Sequence, residues 1–187
     1  MAELESAIKK TKNKTSIDNN GLSNSILKQL PLEIKILILK LFNNCLSKNF
    51  IPSEWKYSKI NMIPKKGDSQ NIKFYRPISS TPCLMKTYEK IILKRLKNFL
   101  DENNILIKQQ SGFRTHRQTR DNLYFMNQKI LEAFGKKQKV CCIFFDIQAA
   151  FDKVWHNGLL FKLYKIKVPF YMLEWIKNFM TENIKCK

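Results

Sequence analysis

The chain has 187 residues, 44% of them hydrophobic and 26% charged, a balance that excludes a disordered polymer and is typical of globular proteins. With 34 Lys and Arg against 15 Asp and Glu, the net charge is +19, which indicates a polyanionic partner or a lysine-rich solvated surface. No apolar stretch approaches the ~20 residues of a membrane-spanning helix, and the first residues lack the layout of a signal peptide, so we expect an intracellular protein without a membrane partner.

The cysteines disfavour a metal or redox protein, which is the weakest of the function classes considered. There are five, and none forms a C-x-x-C pair of the kind that binds zinc. Most lie in apolar sequence, so we expect reduced core residues, with the one near the chain end as an exception. The five are Cys45, Cys83, Cys141, Cys142 and Cys186.

The first half of the chain predicts helices followed by a hairpin. Residues 1–20 are polar and lysine-rich, and a loop is expected near Gly21. A short helix is predicted at 23–30 and a longer one at 31–46, with Pro31 in its first turn. Short strands at 59–64 and 75–79 flank a turn and predict a small hairpin.

The second half predicts more helices around one strand. After Pro82, a strongly periodic helix carries lysines on its outer face. A loop at 109–120 leads into a helix at 119–134 that Gly135 ends, and two short helices are predicted at 157–163 and 169–180. The order of these elements favours the α+β class, helix-rich with a small antiparallel sheet.

The most informative segment is an apolar run, 141–145, that ends on a carboxylate, Asp146. Such a run is typical of a strand buried on both faces. Because side chains alternate along a strand, Cys142, Phe144 and Asp146 should share one face. A buried carboxylate is costly unless it is hydrogen-bonded, solvated or bound to a metal. Asp146 therefore marks a candidate site, or else it only caps the following turn.

Four motifs resemble, in order and spacing, the reverse transcriptases of non-LTR (LINE-like) retrotransposons. They are NNCL (43–46) with IPSEWK (51–56), IPKKGD (63–68) with YRPIS (75–79), QSGFR (110–114) leading to TRDNL (119–123), and FDIQAAFDKVWH (145–156). The resemblance implies the fingers and partial palm of a right-hand polymerase: a helical N-terminal extension at 1–57, fingers at 58–120 and a partial palm at 121–187. It implies an enzyme that copies retrotransposon RNA into DNA, with an RNA template, a DNA primer and deoxyribonucleoside triphosphates as partners.

The resemblance also implies roles for single residues at the catalytic centre. Asp146 matches the first catalytic aspartate, which holds Mg²⁺ or Mn²⁺ for two-metal nucleotidyl transfer, and the Ile147 carbonyl is a further candidate ligand. Phe151 matches the aromatic that blocks a 2′-hydroxyl, although an ordinary core aromatic is the alternative.

Further cations are expected around the nucleotide and the template. Lys65 and Arg76 match the residues that hold the triphosphate, and the adjacent Lys66 contacts nucleic acid or replaces Lys65. Arg114 and Arg117 match positions that face template or nucleotide phosphates, with a local salt bridge to Asp121 as the alternative.

The sequence ends before any Tyr/Phe-x-Asp-Asp motif, which carries the other catalytic aspartates of this family. We therefore expect the chain to be inactive alone. We also expect an open strand edge beside Cys142 and Phe144 that aggregates or needs a covering partner. The alternative function is a non-catalytic, basic nucleic-acid-binding protein derived from the same kind of element.

Overall fold

Helices make up most of the secondary structure. The computed structural model describes residues 1–13, 15–65, 74–181 and 185–186. They belong to two compact units: Met1–Phe99 with His156–Lys187, and Leu100–Trp155. The helix-rich class with a small antiparallel hairpin is thereby confirmed. Among the described residues, no helix has the length and apolar content that crossing a membrane requires.

The first unit begins with a helix that the sequence analysis did not assign. Helix α1 (Ala2–Lys9) buries Leu4, Ala7 and Ile8. These residues follow the i, i+3, i+4 spacing of a helix face. The helix was not predicted because the charged residues around them make the segment polar overall. Helix α2 (Asn24–Gln29) confirms the next prediction, and the Ser23 hydroxyl caps it by accepting a hydrogen bond from the Ile26 N–H at 3.2 Å.

Helix α3 (Leu32–Ser47) confirms the longer predicted helix, with Pro31 as its N-cap. It buries Ile38, Phe42 and Cys45, and a 3₁₀ turn (Ser53–Lys56) then places Trp55 in the same core. The predicted strands are also confirmed: β1 (Tyr57–Pro64) and β2 (Tyr75–Ser80) pair antiparallel, with Ile63 opposite Arg76. A two-residue strand, β3 (Lys185–Cys186), pairs parallel to the start of β1.

Three further helices complete the described part of this unit: α4 (Cys83–Glu102) up to Phe99, α6 (His156–Lys165) and α7 (Phe170–Thr181). Tyr88 of α4 lies at the centre of the core and is 2% exposed. Its ring stacks on Phe42 with 4.7 Å between centroids, while Trp55 and Trp175 meet it edge-on at 6.2 and 5.6 Å. Side chains from four elements therefore fix one another around a single ring.

Two polar contacts tie the start of the chain to α4. Arg95 holds both carboxylate oxygens of Glu3, and its guanidinium lies over the ring of Tyr171. Asp18 accepts the Cys83 N–H at 2.6 Å and the N–H groups of Asn20 and Leu22 at 2.9 Å each. Because the first N–H groups of a helix have no partner within it, Asp18 stabilises the start of α4 from a distant loop.

The second unit, Leu100–Trp155, has one full helix, α5 (Thr119–Gly135), as predicted. The Asp121 carboxylate accepts the Gln118 N–H at 2.8 Å and stabilises its start. The predicted strand at 141–146 is wrong, because residues 138–147 have no regular secondary structure. A strand needs a neighbour for its backbone N–H and C=O groups, and residues 100–155 contain no other strand.

The prediction for the cysteines is confirmed for the first unit and wrong for the second. Cys45 and Cys83 are buried free thiols, while Cys141 and Cys142 are exposed free thiols. The difference has the same cause as the missing strand: the apolar run that carries Cys141 and Cys142 has no surface to pack against within its own unit.

Candidate active site

Asp146 lies in an irregular, exposed segment and not at the exit of a buried strand. Its neighbours Phe145 and Ile147 are 90% and 68% exposed. A turn follows at 148–150, in which Ala149 adopts a left-handed φ of 54°. Within the part of the chain that the structure describes, Asp146 accepts no hydrogen bond, so its capping role gains no support. The carboxylate is therefore presented to solvent.

Phe151 lies close behind this turn and is 83% exposed. The alternative in which it is an ordinary core aromatic is wrong for this structure, because no residue from 100 to 155 is buried. Aromatic side chains flank it on both sides in the sequence, and they are exposed as well; they are Phe144, Phe145 and Trp155. This exposed aromatic run is suited to contact with another group.

The hairpin brings two predicted triphosphate ligands together within the first unit. Arg76 is exposed on β2, opposite Ile63. Lys65 directly follows β1, and its backbone N–H donates to the Phe74 carbonyl, so the pairing continues to this residue. Because side chains alternate, Lys65 and Arg76 fall on one face of the hairpin as diagonal neighbours, at a typical spacing of about 7–8 Å. Lys66 lies outside the described residues.

Arg114 has partners within its own loop. Its guanidinium donates to the Ile107 carbonyl at 3.1 Å and lies 3.6 Å from Asp101. The suggested salt bridge with Asp121 is absent, since Asp121 caps α5 instead. Arg117, three residues further along, is exposed. The two predicted phosphate contacts therefore differ: one arginine is held by the protein and the other faces solvent.

The described residues do not by themselves fit a two-metal centre. No group of three His, Cys, Asp or Glu side chains comes together anywhere in the described ranges. A divalent ion of this type needs several oxygen ligands, usually carboxylates, and an isolated exposed carboxylate competes poorly with water. Asp146 is one exposed carboxylate, which is fewer oxygen ligands than such a centre requires.

Sequence reasoning missed a second polar site, on α4. Glu89 has a carboxylate oxygen that is buried without a hydrogen-bond partner, and burial raises its pKa to about 7. A signal was present, because Glu89 lies four residues after Met85 and three before Ile92, both of which are buried. A carboxylate at a position that the 3.6-residue period assigns to the core is unusual, and it marks a site worth inspecting.

Comparison with known proteins gives the family. The family described as reverse transcriptase (RNA-dependent DNA polymerase) matches residues 63–187, which include both hairpin cations and Asp146. A probable RNA-directed DNA polymerase from transposon BS of Drosophila melanogaster is 36% identical over 183 residues, or 97% of this chain and 20% of that protein. The RNA-directed DNA polymerase from mobile element jockey of the same organism is 34% identical over 98% of this chain and 20% of its own length.

A third relative, the probable RNA-directed DNA polymerase from transposon X-element, is 32% identical over 86% of this chain and 18% of its own length. The chain thus spans about a fifth of the length of these curated relatives. The match over 63–187 covers more than half of the chain and confirms the resemblance drawn from the four motifs. The chain belongs to the reverse transcriptase family, together with RNA-directed DNA polymerases of non-LTR retrotransposons.

Proposed function

We propose that this chain forms the fingers and part of the palm of an enzyme that copies retrotransposon RNA into DNA. Residues 1–57 would be a helical extension, 58–120 the fingers and 121–187 the partial palm. The single observation that carries the proposal is the family match over 63–187. It is supported by a hairpin with two cations on one face and by the net charge of +19, which suits a nucleic-acid partner.

Asp146 and Ile147 are proposed as ligands of the catalytic Mg²⁺ or Mn²⁺, through a carboxylate and a backbone carbonyl. The exposed position of Asp146 leaves its oxygens accessible to an ion and to a substrate phosphate. Since no group of three His, Cys, Asp or Glu side chains comes together among the described residues, the isolated chain would not polymerise. Other parts of a longer protein would supply the missing carboxylates and would cover the exposed aromatic run.

Lys65 and Arg76, with Lys66 next to them, are proposed to hold the triphosphate of the incoming nucleotide. Preplaced cations stabilise the charge that develops on phosphate, and a guanidinium can bind two of its oxygens at once. Phe151 is proposed to exclude a 2′-hydroxyl by steric conflict. Arg117, exposed beside α5, and Arg114 are proposed as contacts to template or nucleotide phosphates.

The test is primed extension on an RNA template, with this chain alone and with a protein extended to the length of its relatives. Only the extended protein should incorporate deoxyribonucleotides. Asp146→Asn should abolish its activity, since a lost metal ligand costs orders of magnitude in rate. The matched control is Asp152→Asn, which changes another exposed carboxylate six residues later and should retain most of the activity. Incorporation by the isolated chain, lost on Asp146→Asn, would contradict the proposal that it is inactive alone.

The proposed sugar gate has its own test in the extended protein. Phe151→Val should raise ribonucleotide incorporation relative to deoxyribonucleotide incorporation by about tenfold or more, because the clash with the 2′-hydroxyl is removed. Trp155→Leu is the control, since it shortens another exposed aromatic side chain of the same segment. An unchanged ratio in Phe151→Val would exclude the gate role without affecting the role of Asp146.

A non-catalytic, basic nucleic-acid-binding protein is the second candidate, favoured by the net charge of +19. It predicts RNA affinity that falls steeply with salt, by roughly 10³–10⁵-fold between about 50 and 200 mM if about 6–10 phosphates are contacted. Binding of this kind, together with an extended protein that remains inactive at every Mg²⁺ and Mn²⁺ concentration, would favour this candidate over the polymerase.

A further inference from the structure

The first unit contains a cavity that the proposed polymerase site does not use. It has a volume of about 350 Å³ and lies against α4 and α7. Apolar side chains form much of its wall, among them Ile92, Leu96, Trp175 and Phe179, while Thr11, Asn24, Lys86 and Lys90 add polar groups. The volume is within the range of small-molecule sites and exceeds that of one flat aromatic group.

The aromatic part of the wall has the geometry of a stack. The rings of Trp175 and Phe179 lie 5.3 Å apart with an interplanar angle of 9°. Trp175 also packs edge-on against Tyr88, which holds it in place from the core side. Because each ring covers one face of the other, only the ring surfaces that line the cavity can contact a nucleobase, and such aromatic contact depends little on the identity of the base.

Glu89 supplies the polar specificity. Its carboxylate oxygen Oε1 is buried and has no hydrogen-bond partner among the described residues. Such a group is costly, and in native proteins it calls for a ligand or a function that accounts for it. An acceptor in an apolar cavity matches a ligand that presents N–H donors along one edge of a flat ring.

Three ammonium groups crowd the same region, those of Lys28, Lys86 and Lys90. Partial burial lowers the pKa of Lys90, and repulsion from Lys28 and Lys86 lowers it further. Lys28 donates to Asn13 at 2.6 Å, Lys86 to Ser80 at 3.4 Å, and each ammonium has further N–H donors to offer. The region therefore suits an anion and disfavours a cationic ligand such as a basic peptide.

We propose that this cavity binds one unpaired guanine base of an RNA strand. The base would lie against the Trp175 and Phe179 rings, with its adjacent N1–H and N2–H₂ donors directed to Glu89. The neighbouring phosphates would contact Lys28, Lys86 and Lys90. Guanine fits best because adenine and uracil do not present two adjacent N–H donors on their Watson–Crick edge. The inference rests on the proposed function in so far as it takes RNA as the partner.

The experiment compares three RNA decamers, each with nine uridines and a central guanosine, inosine or uridine. Inosine is the matched ligand, since it differs from guanosine only by lacking the N2 amino group. The whole chain would carry Trp155→Phe, so that its fluorescence reports Trp175 and the core residue Trp55. At pH 8, where Glu89 is ionised, the guanosine decamer should bind about tenfold tighter than the inosine decamer and quench the fluorescence more.

Two sets of variants assign the effect to this cavity. Glu89→Gln should bring the affinities for the guanosine and inosine decamers to within about twofold, with uridine binding unchanged. Lys86→Ala with Lys90→Ala should weaken all three decamers alike and reduce the salt dependence. Lys97→Ala is the matched control on the same helix: it is exposed, does not line the cavity and should leave the preference for guanosine intact.

Equal affinity for guanosine and inosine, or a preference that survives Glu89→Gln, would overturn the proposal. The first result would mean that charge alone attracts RNA, and the second that guanosine is selected elsewhere. Neither result bears on the polymerase, because the extension assay with Asp146→Asn involves none of these residues. Conversely, an inactive extended protein would leave the decamer comparison decisive for the cavity.

Discussion

The two units use the same kinds of side chain in opposite ways. In the first, Tyr88, Phe42 and Trp175 lie in a closed core, and even Glu89 is partly buried. In the second, Phe144, Phe145 and Phe151 are largely exposed although they are as apolar as the aromatic residues of that core. The difference lies in the partners, since helices α1, α3, α4 and α7 present apolar faces to one core while residues 136–155 have none in their own unit. An apolar segment that remains exposed in this way is suited to contact with another surface.

The largest expected effect is the loss of the central ring. Tyr88→Ala should lower the free energy of unfolding by about 3–5 kcal/mol, because it removes a large buried side chain and leaves a cavity between Phe42, Trp55 and Trp175. Urea denaturation followed by far-UV circular dichroism would measure it. Tyr88→Phe is the control, which should lose only the hydrogen bond to the Phe42 carbonyl. A cost for Tyr88→Ala below about 1 kcal/mol would remove the distinction between the two units.

Glu89 should make the first unit less stable as pH rises. Its folded pKa of about 7 lies above the ordinary value of 4.5, so the folded state retains a proton that the unfolded state loses. Stability is therefore fully present below about pH 4.5 and falls as pH rises through about 7. Relative to Glu89→Gln, the unfolding free energy should fall by on the order of 2 kcal/mol between pH 5 and pH 8. Parallel pH profiles for the two proteins would show that Glu89 is not desolvated.

Asp18 should give a smaller effect at the opposite end of the pH scale. Partial burial would raise its pKa, but hydrogen bonds from Cys83, Leu22 and Asn20 outweigh burial and lower it. The stability it adds is present above its ordinary pKa and is lost as pH falls through the lowered one. Asp18→Ala should cost about 1–2 kcal/mol at pH 7, with Asp18→Asn in between, and the cost should vanish in acid. A pH-independent cost would assign the effect to packing.

The smallest effect is expected in the second unit. Phe145→Ser should change the free energy of unfolding by no more than about 0.5 kcal/mol, because the ring makes no buried contacts to lose. It should also reduce aggregation, which light scattering would detect, while Lys139→Ser, a polar change nearby, should not. A destabilisation comparable to that of Tyr88→Ala would show that Phe145 packs in solution.

The sequence predicts most of the helices and the hairpin because their signals are local. Pro31, Pro82 and Gly135 mark helix ends, and the period of apolar residues defines α3 and α4. Helix α1 is short, and its three buried residues are outweighed by charged neighbours. The strand at 141–146 fails for another reason: pairing is not local, and its alternation of side chains says nothing about whether a partner strand is present.

In the candidate site, too, some features could be predicted from the sequence and others could not. Motif order leads to Asp146, Phe151 and Arg76, because each belongs to a recognisable stretch of sequence. The pairing of Arg114 with Asp101, and not with Asp121, depends on how a loop folds back and could not be read from spacing. The unpaired oxygen of Glu89 depends on how the surrounding helices pack, so it could not be predicted from the sequence.

The free thiols of the two units should react with alkylating reagents at different rates. Cys141 and Cys142 should be alkylated quickly, whereas burial raises the pKa of Cys45 and Cys83 and withholds the thiolate that reacts. The substitution Cys186→Ser would remove the thiol near the chain end, so that the fast reaction reports only Cys141 and Cys142. These two cysteines lie a few residues before Asp146. Iodoacetamide kinetics would thus report, without an activity assay, when a longer protein closes over this segment.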